Sequence, residues 1–264
     1  MNAIDLSLLV PPFLAGLLVL STHVPLGRRV LDKGIIFIDL AIAQVAALGF
    51  MVANDVGEHF PFHSEVTASA FGQIAAALAA CGAALVLTWS GRRWPQIQEA
   101  LIGLLFVLAA CVGMLLLAHD PHGGEHLTDL LAGQILWVSP GQLLVPTLVY
   151  GAIGIAWLFL RKRLWDGDFY LLFALAVTVS VQLVGVFLVF TSLIAPAIAS
   201  RRRQGPSALV WAYGIGLLGY GIGLLLSALL DLPAGPAIAT CLCLLTLTGL
   251  GKPASSASPV VNKP

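Results

Sequence analysis

Charge is what this sequence lacks. Only 10% of its 264 residues are Asp, Glu, Lys or Arg, against about a quarter in a soluble domain. That excludes an ordinary water-soluble globular chain, and no nucleic-acid partner is expected. Cysteine is scarce as well. Cys81, Cys111, Cys241 and Cys243 all fall inside apolar runs, where they read as small core residues rather than disulfide partners or zinc ligands. There is no G-x-x-x-x-G-K-[ST], so the chain binds no ATP through a P-loop. Neither H-E-x-x-H nor G-x-S-x-G occurs. An intramembrane aspartyl protease is disfavoured too, because only one carboxylate lies inside an apolar span. The opening MNAID carries no basic segment of the kind that starts a cleavable signal peptide.

What fills the space is apolar: 59% of the residues are hydrophobic, in runs that approach the roughly 20 residues a membrane helix needs. Spans are predicted at about 6–21, 34–52, 66–89, 98–118, 143–160, 208–230 and 237–250. The stretch 127–138 is too short to cross and reads as an interfacial or re-entrant helix. The 32 residues of 169–200 are too long for one crossing and short for two. Gly185 and Pro196 interrupt that stretch, so it reads as a helix, a turn near Gly185 and a shorter return. The expectation is an all-α polytopic membrane protein of about eight transmembrane helices that include this Gly/Pro-broken hairpin.

The basic residues support that path. Arg28, Arg29 and Lys33, then Arg92 and Arg93, then Arg161, Lys162 and Arg163, then Arg201, Arg202 and Arg203, and finally Lys252 and Lys263 make up all 13. They share one side only if 169–200 goes in and comes back. The positive-inside rule makes that side cytoplasmic, with the N-terminus outside and the C-terminus cytoplasmic.

Three groups of residues carry candidate chemistry. Asp39 stands in the apolar run GIIFIDLAIAQVAALG. A carboxylate at membrane depth costs roughly 2.5–3.5 kcal/mol on insertion scales and usually faces a protein interior or a watery path. It is a structural hydrogen-bonding group or a hard oxygen ligand for a divalent cation. Gln44 lies five residues on, about 140° around a regular helix, so the two share a face only if the helix is distorted. The second group is Pro196, Arg201, Arg202 and Arg203, where a proline-bearing apolar segment runs into three arginines. These anchor the chain at the membrane surface or dock a cytoplasmic partner. The third is His119, His122, Glu125 and His126 in HDPHGGEH on the outer side. Their types suit zinc or manganese, and a flexible polar loop is the competing reading. His59 and His63 in EHFPFH form a weaker pair of the same kind.

Three stretches together resemble a known family, the zinc/manganese-type metal ABC transporter permeases. VGVFLVFTSLIAPAIASRRR resembles the segment leading to that family's ATPase-docking region. GLLLSALLDLPAGPAIA resembles its last hairpin, and EALIGLLFVLAACVGMLLL with LTDLLAGQILWVS its middle section. The family often carries G-D-x-x-x-H near its second span. Here Gln44 takes the histidine's place and Leu40 the aspartate's, with Asp39 one residue early. The resemblance implies a non-enzymatic permease domain at 1–251; the polar, proline-bearing composition of 252–264 is that of a disordered cytoplasmic tail. The resemblance also implies the inner membrane of a bacterium, a homodimer in lipid, no bound cofactor, and zinc or manganese as cargo. A cytoplasmic ATP-binding subunit would drive it and an extracytoplasmic metal-binding protein would feed it. A secondary cation transporter using Asp39 as its coupling carboxylate is the alternative.

Overall fold

The computed structural model describes residues 6–57, 65–117, 133, 135–160 and 166–250. Those residues form nine α-helices: α1 Val10–Lys33, α2 Ile38–Gly57, α3 Glu65–Arg93, α4 Gln98–Leu117, α5 Leu144–Leu160, α6 Asp166–Val184, α7 Val186–Ser200, α8 Gly205–Leu230 and α9 Ala234–Leu250. Six of these segments are long and apolar enough to cross a membrane by length and composition; α2, α7 and α9 hold shorter apolar stretches. This is the fold of a polytopic helical membrane protein.

The pair α6–α7 is the centre. α6 packs against α3 and α2, and α7 against α1, α9 and α8. One flank is thus α2, α3 and α4, and the other is α1, α8 and α9. The predicted round trip is visible in the contacts of α1. Near its C-terminal end, Arg29 lies over the ring of Phe169 at the start of α6. Two residues earlier, Gly27 is pressed on the backbone of Leu193 in the middle of α7. The chain therefore leaves one end of α1 and returns to it.

The reversal occurs at Gly185 (φ 81°, ψ 163°), backbone that L side chains rarely adopt. Gly133 is packed against the Val184 carbonyl there, so the described end of the segment predicted as interfacial, with a short 3₁₀ turn at Ile135–Trp137, seats on the tip of the hairpin. Pro196 was expected to break the chain as well and does not. It lies within α7, which runs unbroken to Ser200. A single missing N–H is tolerable in a membrane helix where neighbours re-satisfy the backbone. Thr246 of α9 donates to the Ala195 carbonyl at 3.2 Å, tying α9 to α7 beside the proline.

The larger departure is α1. The expected span stopped near Ser21, with THVPLGRRVLDKG as a loop, yet the helix continues to Lys33. Pro25 removes the N–H that would pair with the Ser21 carbonyl, and the Tyr213 hydroxyl donates to that carbonyl from α8 at 3.2 Å. The helix then closes at Gly34 (φ 70°), with Gly34 N–H bonded to Leu31 and Ile35 N–H to Val30, a Schellman turn. Close glycine contacts tie the same flank. Gly219 and Gly223, one turn apart on α8, receive Leu242 and Ile238 of α9, the small-residue packing expected where lipid supplies no hydrophobic drive between helices.

Candidate ion path and docking segment

A helix bundle in lipid must satisfy its polar groups internally, and this one mostly does. Thr88 donates to Ala84, Thr178 to Ala174 and Ser180 to Ala176, at 2.7–2.8 Å. The Tyr150 hydroxyl pairs with Ser180 at 2.6 Å and Tyr220 with Ser192 at 2.8 Å. Against that background, four buried side-chain atoms among the described residues have no hydrogen-bond partner: both carboxylate oxygens of Asp39, Oε2 of Glu99 and Nε2 of His23. All are atom types that can ligate a cation.

Asp39 is 1% exposed and lies in the first turn of α2, where unpaired backbone N–H groups concentrate positive partial charge. That position lowers the cost of a carboxylate without pairing it. The approach to Asp39 is fixed from two sides. Glu99, in the first turn of α4, accepts the N–H of Phe37 through Oε1 at 3.2 Å. The Phe37 ring stacks on Phe190 of α7, with centroids 6.4 Å apart and planes 2° from parallel. The turn that delivers Asp39 is therefore clamped between α4 and the returning arm of the hairpin.

Gln44 is half-buried. Because α2 is helical without interruption from Ile38 to Gly57, Gln44 and Asp39 point about 140° apart, and the structure does not bring them together. No cluster of three or more His, Cys, Asp or Glu side chains is present among the described residues. His119, His122, Glu125 and His126 lie outside the described residues, as do His59, His63 and the tail at 252–264.

In the second group, Pro196 is buried while Arg201, Arg202 and Arg203 are exposed on the link between α7 and α8. They are not equivalent. Arg203 lies over the Trp211 ring at 4.3 Å, a cation–π contact that draws it toward α8, and its N–H bonds back to Ser200 at 2.9 Å. The link thus offers a short, ordered basic surface at the end of the helix that touches Phe37.

His23 escaped the reading of the sequence, which left it in a loop. It is 0% exposed on α1. Two signals point to the longer helix that buries it: Lys33 in the last turn and Gly34 immediately after it, the usual end of a helix.

Comparison with known proteins places the whole chain. The sequence profile described as the ABC 3 transport family matches residues 5–166 and 163–252. A Chlamydia trachomatis protein named "Probable metal transport system membrane protein" is 25% identical over 258 residues, covering 88% of this chain and 84% of its own length. An uncharacterized membrane protein of Synechocystis is 26% identical over 245 residues, with 85% and 83% covered. Among solved structures, PsaBC from Streptococcus pneumoniae in complex with Fab superposes with a TM-score of 0.74 at 17% identity, over 93% of this chain and 92% of the other.

Proposed function

The chain belongs to the ABC 3 transport family, and from that premise we propose that it is the permease subunit of a bacterial importer for a divalent metal ion, zinc or manganese. Its place as a multi-pass, non-catalytic membrane subunit follows from the family and the fold. The metal is supported by the printed name of the chlamydial relative and by one observation above the rest. Asp39, nearly fully buried on a membrane helix, keeps both oxygens unpartnered, and a hard divalent cation takes such oxygens as ligands. Gln44, about 140° around the same helix, offers an amide oxygen. The outer-loop group His119, His122, Glu125 and His126 would meet the ion first.

Two copies of the permease in the inner membrane would open alternately to each side. An ATP-binding subunit would dock on Pro196 to Arg203, and an extracytoplasmic metal-binding protein would deliver the ion. Membership in an ABC family leaves the secondary-carrier alternative without support. The test is Asp39→Asn, which keeps size and removes charge. Uptake of radiolabelled zinc or manganese should collapse with assembly intact, and Asp39→Glu should retain part of it. Normal transport by Asp39→Asn would show that the carboxylate is only structural.

A further inference from the structure

We propose that His23 is a ligand for the transported cation, coordinating it through Nε2 at mid-depth in the membrane. The proposal rests on the metal-permease reading above.

The ring's tautomer follows from its neighbours. Nδ1 lies 3.0 Å from the Val19 carbonyl oxygen, an atom that only accepts, so Nδ1 carries the proton. The Thr22 hydroxyl also turns to Val19, at 3.3 Å, and sits 3.2 Å from the same Nδ1. The neutral ring then presents a bare lone pair at Nε2, fully buried and unpartnered. A ring whose Nδ1–H is held by a backbone carbonyl while Nε2 stays free is the arrangement used by metal-binding histidines.

His23 is also in the right place. It lies ten residues before Lys33, about 15 Å along the helix, half of a hydrocarbon core of roughly 30 Å. On α1 it shares a face with Gly16 and Gly27, at i−7 and i+4. Gly16 receives the ring of Tyr220, and Gly27 the backbone of Leu193 on α7. That face looks at α8 and at α7 of the central hairpin, not at lipid. Asp39 approaches the hairpin from the other flank, through α2. The two groups are separate stations on either side of α6–α7, one oxygen and one nitrogen. Imidazole suits zinc better than manganese, so a nitrogen station favours zinc.

His23→Asn separates the two roles of the ring. The asparagine amide can still donate to the Val19 carbonyl, as Nδ1–H does, but nothing replaces Nε2. Zinc uptake by proteoliposomes containing the full transporter should fall at least about tenfold, the loss typical of a disturbed metal shell, with less effect on manganese. Transport equal to the parent would mean a structural histidine satisfied by water, and would overturn the proposal. A second measurement does not depend on that variant. Replacing His59, His63, His119, His122 and His126 with Asn leaves His23 as the only one of six histidines. The protein, carrying no histidine tag, is loaded with one equivalent of zinc for X-ray absorption. Imidazole scattering at a Zn–N distance of about 2.0–2.1 Å is expected; bound zinc without it, or no bound zinc where the parent binds it, would refute the assignment. If the parent transports neither zinc nor manganese, the metal reading falls and this proposal with it; if it transports manganese alone, the metal reading stands and the zinc-favouring nitrogen ligand is overturned.

Discussion

Glu99 does for Asp39 what a supporting group does for any charged ligand: it fixes the backbone that presents it. Its bond to the Phe37 N–H needs an acceptor, not a charge. Glu99→Gln should therefore keep most of the uptake, while Glu99→Ala should lower it without loss of assembly; equal transport by both would remove Glu99 from the account. Gln44→His supplies an imidazole but not the i,i+4 spacing that puts two ligands on one face. Little gain in zinc uptake is expected, and a several-fold rise would mean that α2 distorts during transport. At this scale the sequence exposed Asp39 because a charge in an apolar run has no camouflage. It hid His23 because Pro25, two residues on, imitates the end of a helix. Tyr213, 192 positions along the chain from Ser21, takes up the carbonyl that Pro25 frees, and no local pattern announces such a distant donor.

Among the elements, α7 joins the docking link to the turn before Asp39. It carries Phe190 in its first half and ends at the three arginines. Replacing Arg201–Arg203 with glutamates should uncouple an ATPase subunit, read as lost co-purification and lost substrate-stimulated ATPase activity. Arg203→Glu alone should do less, since that side chain is already committed to Trp211; a single change as damaging as all three would point to Arg203 itself. The α1–α7 seam makes a separate prediction. A Cβ on Gly27 would overlap the Leu193 carbonyl oxygen, whereas one on Gly103 of α4 meets no atom within 4 Å. Gly27→Ala should cost about 1–3 kcal/mol, the usual penalty of overpacking, and lower the melting temperature of the purified protein; Gly103→Ala should not. The turn at Gly185 was readable because only a strong breaker divides so long an apolar run. Pro196 misled, because its ring costs little where the helix is supported by α1, α8 and α9.

For the whole molecule, the round trip of α6 and α7 brings the described basic clusters, at the ends of α1, α3 and α7, to one end of the bundle. Cysteines introduced at Arg202 and near Gly123 should label from opposite sides; labelling of both from outside would invert or break the topology. Composition and charge order carried this much of the fold unaided. The packing order around the hairpin, with α1 on one flank and α2 on the other, depends on glycine contacts between distant helices and has no signature along the chain. The central claim, ATP-driven entry of a divalent metal through this chain, has a direct measurement. The permease is reconstituted with its ATPase subunit and its metal-binding protein, and uptake of radiolabelled zinc and manganese is followed with and without ATP. Accumulation that requires ATP and is unaffected by collapsing the proton gradient is the predicted result. Uptake that proceeds without ATP and follows the proton gradient would contradict it.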